Sequence, residues 1–485
     1  MKKILVLAFI LVASMLFLAA CDRGGDADGD YLTLRAVFPG DHPNDEEYVL
    51  EAINARLREA YGFQLETVFV HDYWTNIALM IASDETVDIA WAHESTIADL
   101  RARGVYQPID AYLATYAPVI DAKMPDFVRS QGSLDGTLYA VPRMIPMAQY
   151  NWLWNIRGDL RQEWGVPEIH TLADLEVYLQ AALDAGMTPT ADQQGRPLYP
   201  VLAQFYFPMG DNGRYPLFVD PSDPTFTVQN FFASDNWMEM IQTKRRWREV
   251  GFIAEDESHF GGNAHEGFIF GQVAAVPSNT NSVFERIDGL VNNMGTDAWI
   301  ESIMLNPGRR YVFHGGDNML AVGSTSENVR EAVQFFNWTR ASQENYDLWS
   351  HGVLGRNYNL TPGGAIDLTD IPPGMVYAPR SWMWNDVDLA RFSANVSPEA
   401  VQAKINWDTG AIVTPFVGFT IDQSGFASEF AQVTAVTDEF FSILIAGMDA
   451  DYVGRNELFL QQLGAAGIQT VIEQVQIQLD AFLGR

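Results

Sequence analysis

Strands and helices alternate along the first part of the chain after Tyr31, and this order constrains the fold more than any other feature. The segment 32–38 has apolar residues at every second position, which predicts a strand that ends at Pro39. A helix is predicted from a cap at Asn44 to Gly62, and it is followed by a strand over 64–70, a helix over 74–83 and a buried strand over 87–92. Such alternation is typical of α/β layers built on a parallel sheet.

The N-terminus has the pattern of a secretory signal peptide. Lys2 and Lys3 precede an almost continuous apolar run over 4–20, after which the chain turns polar. A charged start, an apolar run and small residues before a cleavage site are the three parts of such a signal. The alternative is a transmembrane anchor, for which this run is at the short end. The sequence therefore predicts a signal peptide over 1–20.

The single cysteine of the chain, Cys21, stands where the small residues end. Leu18-Ala19-Ala20-Cys21 resembles the lipobox of bacterial lipoproteins. The resemblance implies that Cys21 becomes the lipid-modified N-terminus of the mature protein. Residues 21–30, rich in Gly and Asp, would then be a flexible tether. The protein is expected outside the cytoplasm, attached to the outer face of the cell membrane by this anchor only.

Composition excludes several classes of partner. The 485 residues include 30 Lys and Arg against 62 Asp and Glu, a formal charge of −32. So acidic a chain repels phosphate backbones and anionic lipid, so no nucleic-acid partner is expected. One cysteine also leaves no intrachain disulfide framework and no cysteine-based zinc site.

Strong catalytic signatures are absent from the sequence. His93-Glu94 and His265-Glu266 each begin a His-Glu-x-x-His pattern, but Ile97 and Ile269 stand where the second zinc-binding histidine belongs. No metal site, no cofactor and no enzyme activity are predicted. Glycoside hydrolysis needs only two carboxylates across a cleft, so a cell-surface glycoside hydrolase stays open as an alternative.

Tryptophans in loops are candidates for sugar binding. The chain has 13 tryptophans, and Trp382 and Trp384 lie between the loop signals Pro372-Pro373-Gly374 and Asn385-Asp386. The C–H faces of sugar rings pack on flat aromatic side chains, and loops present such side chains more often than helix interiors do.

Several segments, in order, resemble motifs of the family 1 extracellular solute-binding proteins of bacterial ABC importers. The tail over 418–480 resembles, more narrowly, the LplA-like lipoprotein subgroup. The segments with the resemblance are Val87-Asp88-Ile89-Ala90-Trp91, Gly104-Val105-Tyr106-Gln107-Pro108-Ile109, Asp135-Gly136-Thr137-Leu138-Tyr139-Ala140-Val141-Pro142, Gly271-Gln272-Val273-Ala274-Ala275-Val276 and Gly352-Val353-Leu354-Gly355-Arg356-Asn357-Tyr358.

The resemblance implies an α/β, two-lobe periplasmic-binding-protein (Venus-flytrap) fold of type II with a hinge between the lobes. The expected partition is 31–145 plus 273–323 for the N-terminal lobe and 146–272 plus 324–485 for the C-terminal lobe. The chain would cross between lobes near Val141–Gln149, Gly271–Val276 and Val322–Ser326.

The resemblance also suggests cleft residues. It points to loops that contain Trp91, His93 and Glu94, then Gln204 and Tyr206, then Asn279 and Asn281, and finally Arg380, Trp382 and Trp384. For His93 and Glu94 the alternative is a surface pair that caps a helix. The segment Asn279-Thr280-Asn281 lacks the tryptophan of the maltose-type pattern, which argues against a maltose-like ligand.

The sequence thus predicts a monomeric, lipid-anchored substrate-binding component of an ABC importer. It would capture a carbohydrate, most simply an oligosaccharide, and deliver it to permease subunits. A binding protein for a non-sugar solute, such as a peptide, is the alternative.

Overall fold

A computed structural model describes residues 31–148, 152–191, 207–208, 217–253, 264–305, 308, 310–313 and 317–485. The expectations for the signal peptide, for Cys21 and its tether, and for Gln204 and Tyr206 lie outside these residues.

Short strands alternate with helices along the described chain. The strands are β1 Leu32–Pro39, β2 Phe63–Val70, β3 Ile89–His93, β4 Ser133–Leu134, β5 Thr137–Leu138, β6 Ala140–Pro142, β7 Trp152–Arg157, β8 Thr188–Thr190, β9 Phe207–Pro208, β10 Leu217–Val219, β11 Val228–Asn230, β12 Val273–Asn279, β13 Ile300–Ile303, β14 Tyr311–Val312, β15 Asn318–Ala321, β16 Asn359–Leu360, β17 Ile366–Asp367 and β18 Ile412–Val413.

The longest helix of the described residues, α15, has 19 residues and lies in the C-terminal part of the chain. They are α1 Glu46–Tyr61, α2 Tyr73–Ala82, α3 Glu94–Ala102, α4 Asp110–Tyr116, α5 Pro118–Lys123, α6 Asp126–Gln131, α7 Gly158–Glu163, α8 Leu172–Asp184, α9 Asp235–Glu249, α10 Ala264–Ile269, α11 Ser282–Met294, α12 Val329–Ala341, α13 Gln343–His351, α14 Pro398–Ile405, α15 Ala427–Ile445, α16 Tyr452–Ala465 and α17 Ile468–Phe482. None of the helices in the described residues is long and apolar enough to cross a membrane.

The first sheet has the strand order β2-β1-β3-β15-β6. Its first three strands are parallel and are joined by α1 and α2, whereas β15 runs antiparallel to β3 and to β6. The parallel strands are apolar on both faces because helices cover both sides, and Leu34, Ala36, Val37 and Ile89 are fully buried. The α/β class expected from the sequence is confirmed here.

The second sheet has the order β13-β7-β12-β8. Strand β12 runs antiparallel to β7 over five residue pairs and parallel to β8. A large apolar core surrounds this sheet, with Trp154, Trp237 and Trp247 fully buried in it. The C-terminal helices belong to the same core through one side of each, as Leu444, Leu463 and Leu479 show.

The expected partition of the lobes is wrong in two places. Strand β12, which it assigned to the N-terminal lobe, is hydrogen-bonded inside the second sheet. Helices α12 and α13, which it assigned to the C-terminal lobe, pack on the first sheet, where Phe336 and Trp349 share a core with Leu34 and Phe38. We therefore define the first lobe as 31–143, whose last residue is still hydrogen-bonded to β15, plus 317–386, and the second lobe as the described residues within 152–303 plus 414–485.

Along the described residues the chain passes between these lobes three times, through segments that touch one another. Ala148 of the first crossing is bridged to Val312 of the second, and β14 of the second pairs with β18 of the third. The described residues of the first crossing, 144–148, fall within the expected segment 141–149. The segments Gly271–Val276 and Val322–Ser326, where the other two crossings were expected, each lie within one lobe.

Side chains of the third crossing fix the first. The Asp408 carboxylate accepts hydrogen bonds from the main-chain N–H of Met147 at 2.9 Å and of Ala148 at 2.7 Å. The indole N–H of Trp407 donates to the carbonyl of Ala148 at 2.8 Å. Burial raises the pKa of Asp408, although the two hydrogen bonds that it accepts and the charge of Arg310 act in the opposite direction. The first and third crossings are thus hydrogen-bonded to each other.

Candidate functional site

The carboxyl ends of β1 and β3 meet at the point where the chain order of the first sheet reverses. The chain leaves β1 to form β2 on one side and later returns to form β3 on the other side. In open α/β sheets, ligands bind in the crevice at such a switch point. Here Gly40 and Asp41 follow β1, and Glu94 follows His93 at the end of β3. This edge of the first lobe is therefore the candidate site.

Three indole rings form an aromatic wall at this edge. Trp91 of β3 lies between Trp74, at 4.2 Å between ring centroids, and Trp382, at 5.3 Å and nearly perpendicular. All three residues are partly exposed. The indole N–H of Trp91 donates to the side-chain oxygen of Asn318 at 2.9 Å. We call Trp74, Trp91 and Trp382 the aromatic wall, and it offers the flat apolar surface on which a sugar ring can pack.

A partly buried ion pair fixes the main chain of Trp382. Arg143 donates to both carboxylate oxygens of Asp317, at 2.6 and 2.8 Å, and its third nitrogen donates to the main-chain carbonyl of Trp382 at 3.0 Å. Burial alone would raise the pKa of Asp317, but the charges of Arg143 and His93, with hydrogen bonds from Arg143 and Asn318, outweigh it and lower that pKa. Asp317 is therefore ionised at neutral pH and cannot serve as a general acid there.

Arg380 lies at the other end of the same edge. Its guanidinium donates to the main-chain carbonyl of Asp41 at 2.7 Å and covers Gly40, where a Cβ atom would stand 2.5 Å from the Arg380 Nη2 atom. Gly40 also has a φ of +89°. A larger residue at position 40 would therefore displace Arg380, so glycine is what allows the cation to reach the end of β1.

His93 caps a helix, as the alternative interpretation of this residue proposed. Its ring nitrogen Nδ1 accepts the main-chain N–H of Ser95 at 3.2 Å and contacts the Ser95 hydroxyl at 2.8 Å. Glu94 is the first residue of α3, and its main-chain N–H donates to the main-chain carbonyl of Asp317 at 2.9 Å. The His93 ring nevertheless lies 6.1 Å from the Trp91 ring, between centroids, so His93 borders the aromatic wall.

The second lobe contributes amide side chains. Asn279, the last residue of β12, accepts the main-chain N–H of Asn281 at 2.9 Å. Asn281 is buried and accepts a hydrogen bond from the ammonium of Lys404. Asn281 and Lys404 face first-lobe residues Ser381 and Asn385 across a cavity of about 130 Å³. The structure thus places Asn281 between the lobes.

Trp384 does not face the cleft, contrary to the expectation from the sequence. It is 2% exposed and packs at 4.7 Å from Trp349 and 5.8 Å from Phe38, between centroids. A short 3₁₀ helix, Ser381–Met383, turns the chain so that Trp382 and Trp384 point to opposite sides. The spacing of the two tryptophans in the sequence does not predict this turn.

Sequence reasoning missed Trp74, Arg143 and Asn318. Trp74 lies in the first turn of α2, just after the carboxyl end of β2, and this position next to a predicted strand end is the signal that could have identified it. Arg143 and Asn318 are brought to the wall by β6 and β15, whose antiparallel pairing no local pattern predicts. Among the described residues, no group of three His, Cys, Asp or Glu side chains is arranged to hold a metal ion.

Comparison with solved structures shows the two-lobe fold of solute-binding proteins. The N-glycan transport solute-binding protein NgtS from Streptococcus pneumoniae superposes with a TM-score of 0.77 at 16% identity, over 94% of this chain and 99% of that one. Its complex with Man5GlcNAc gives 0.69 at 17% identity, over 93% and 99%. An HMO-binding, ABC-transporter-associated solute-binding protein from Bifidobacterium longum infantis gives 0.66 at 12% identity, over 94% and 100%.

Two family models match the sequence, whereas a comparison with curated proteins gave no match. A model described as a domain of unknown function, DUF3502, matches residues 415–484, which begin near β18 and contain α15, α16 and α17. The model for bacterial extracellular solute-binding proteins matches residues 41–344, which is more than half of the chain. The family expected from the sequence motifs is thus confirmed, and the protein belongs to the bacterial extracellular solute-binding proteins.

Proposed function

We propose that this protein captures an oligosaccharide between its lobes and delivers it to the permease of an ABC importer. The observation that carries the proposal is the aromatic wall at the switch point of the first sheet, with the amides of Asn279 and Asn281 contributed by the other lobe. Aromatic faces suit the C–H surfaces of sugars, and amides and charged groups suit their hydroxyls. Neighbours of the same fold are described as binding an N-glycan fragment and as HMO-binding.

The energies required are modest. A dissociation constant near 1 μM corresponds to about −8 kcal/mol. Each aromatic contact adds about 0.5–1.5 kcal/mol beyond the apolar area that it buries. Three rings and several hydroxyl hydrogen bonds, offset by the entropy lost on closure, are sufficient for micromolar binding.

The test is a calorimetric and thermal-shift screen of the lipid-free mature protein. The panel contains Man5GlcNAc, milk oligosaccharides, alginate oligosaccharides and, as the rival ligand class, short peptides. We expect at least one oligosaccharide to raise Tm and to bind with micromolar affinity. Stabilisation by peptides with no response to any sugar would contradict the carbohydrate assignment.

The same samples decide between binding and hydrolysis. We propose that the protein is not an enzyme, since it belongs to a family of binding proteins. The bound oligosaccharide should be recovered intact after prolonged incubation, as chromatography with mass detection will show. Shortened products that disappear when one cleft carboxylate is replaced would support a glycoside hydrolase instead.

We also propose that Cys21 carries lipid and holds the protein, as a monomer, at the outer face of the membrane. The motif Leu18-Ala19-Ala20-Cys21 supports this attachment. In a bacterial host, the wild-type protein should fractionate with membranes and its N-terminal peptide should carry added acyl mass. C21S should abolish that mass. Equal membrane binding of both forms would favour a transmembrane anchor.

A further inference from the structure

The hydrogen-bond ladder between β1 and β3 is short on the side of the candidate site. Strand β1 pairs with β2 at eight positions but with β3 at only two, Ala36 with Ile89 and Val37 with Ala90. Beyond Val37 and Ala90 the two strands have no further pairs, although β1 continues to Pro39 and β3 continues to His93. The crevice opens at this separation.

The hydroxyl of Tyr73 occupies the point where the strands separate. It accepts the main-chain N–H of Trp91 at 2.7 Å, and its one proton can be donated to the carbonyl of Trp91 at 3.0 Å or of Val37 at 3.3 Å. The hydroxyl of Tyr106 donates to the same carbonyl of Trp91 at 3.1 Å. Side-chain hydroxyls thus bond both main-chain polar groups of Trp91, beyond the last pair of the ladder.

Both phenols are suited to this role. Tyr73 and Tyr106 are almost fully buried, and burial raises the pKa of each hydroxyl. Both therefore remain protonated and able to donate across the physiological pH range. The Tyr73 ring also contacts Trp91 at 5.2 Å and Trp74 at 5.0 Å between centroids. One turn of α2 therefore places the hydroxyl beside the main chain of Trp91 and the Trp74 ring against the Trp91 ring.

We propose that Tyr73 is a positioning residue for the ligand site: its hydroxyl, inserted where β1 and β3 separate, fixes the main chain of Trp91 and so the orientation of the aromatic wall. The role in ligand binding rests on the proposed function. The role in orienting Trp91 does not, because it acts in the ligand-free protein.

Fluorine NMR on protein labelled with 5-fluorotryptophan measures the orientation directly. The resonance of Trp91 is assigned from its loss in W91F. Y73F should shift or broaden that resonance without ligand, whereas Y106F, the matched control, should change it less because the N–H partner of Trp91 remains. The resonance of Trp237, which lies in the second lobe, should not move in either variant. An unchanged Trp91 resonance in Y73F would overturn the proposal.

Affinity for Man5GlcNAc provides the second readout. Y73F should weaken binding by about tenfold and Y106F by about threefold, since Y73F leaves a buried N–H without its acceptor, whereas Y106F removes one of two donors to a carbonyl. Equal effects of the two variants would count against a special role for Tyr73. If the wild-type protein binds no sugar, the proposed function fails, while the ligand-free spectra still decide the positioning role.

Hydrogen exchange of the wild-type protein covers the case in which Y73F does not fold. The amide of Trp91 should exchange as slowly as those of Ala90 and Ala92 in the ladder, because the Tyr73 oxygen holds it. Exchange as fast as that of the loop residue Asp41 would show that the hydroxyl does not bond the amide in solution, and would reject the proposal.

Discussion

The two sides of the cleft are built differently. On the first-lobe side, the aromatic wall is held from within that lobe, by Asn318 at Trp91 and by the Arg143–Asp317 pair behind Trp382. On the second-lobe side, Asn281 is held by Lys404, which belongs to the third crossing between the lobes. The first surface is thus formed before ligand arrives, which reduces the entropy cost of binding, whereas the second depends on how the lobes are joined.

The largest effect should come from the buried tryptophan behind the wall. W384A removes a side chain that is 2% exposed and leaves a cavity beside Trp349. We expect the free energy of unfolding of the first lobe to fall by about 3–5 kcal/mol. W382A, two residues away and partly exposed, should cost clearly less. Urea unfolding of the two variants measures the difference, and equal losses would contradict the assignment of Trp384 to the core.

The second effect concerns binding rather than stability. W91A removes the central ring of the aromatic wall, and we expect the affinity for the bound oligosaccharide to fall by a factor of about 30 or more, as for a central contact of an interface. F482A, at a half-exposed aromatic of α17, is the control and should leave affinity unchanged. Calorimetry that finds W91A and F482A alike would remove the aromatic wall from the site.

The sequence predicts the elements around the site better than it predicts the contacts between them. The segments 32–38, 64–70 and 87–92 carry their own strand patterns, and Gly62 ends α1 as predicted, in a left-handed conformation that suits glycine. The start of α1 was misplaced by one residue, since Asp45 and not Asn44 precedes it. Asn44 donates instead to the carbonyl of Pro373, a distant contact that no capping pattern contains.

Errors in the site and the lobes arose from contacts that are distant in sequence. The apolar run of β12 is compatible with either sheet, and only its pairing with β7 decides between them. Trp382 and Trp384 lie two residues apart, between the same loop signals. Only the turn at Ser381–Met383 places the first at the aromatic wall and the second in the core. Local composition therefore predicts elements and aromatic candidates, while partners across the sheet decide which candidates reach the cleft.

Acidification should affect both lobes, through one histidine in each whose pKa is lowered by burial. Burial lowers the pKa of His351, in the first lobe, to about 4, and burial with the charge of Arg286 lowers that of His265, in the second, to about 3. The unfolded chain takes up these protons near pH 6.5, so the free energy of unfolding should fall as pH decreases from about 7 to 4, on the order of 1 kcal/mol per histidine and pH unit. Above pH 7 both contributions are fully present.

Thermal unfolding between pH 7 and pH 5 measures this slope. H351Q should flatten it for the first lobe, and H265Q for the second, whereas H170Q, at an exposed histidine, should not change it. A slope that neither buried-site variant alters would show that carboxylates dominate the acid response.

The smallest effect is expected at the hydrogen bond between Lys404 of the third crossing and Asn281 of the second lobe. A double-mutant cycle of K404M and N281A should give a coupling of about 1 kcal/mol in the free energy of unfolding. N281A should also weaken ligand binding by a few fold through the loss of one amide contact, and K404M should weaken it by less, because Lys404 acts through Asn281. A coupling near zero would mean that the third crossing does not hold Asn281, and the contrast between the two sides would disappear.

The hydrogen bonds between the three crossings should keep the two lobes together after a proteolytic cut. Asp408 and Trp407 together bond the main-chain N–H and C=O of Ala148, and β14 pairs with β18, so each crossing is attached to another as well as to its own chain. A protease that cuts one crossing would leave two covalent links and these hydrogen bonds in place. We therefore expect a singly nicked molecule to remain one particle with both halves of its cleft, and a binding protein built in this way tolerates damage that would separate two lobes on a single linker.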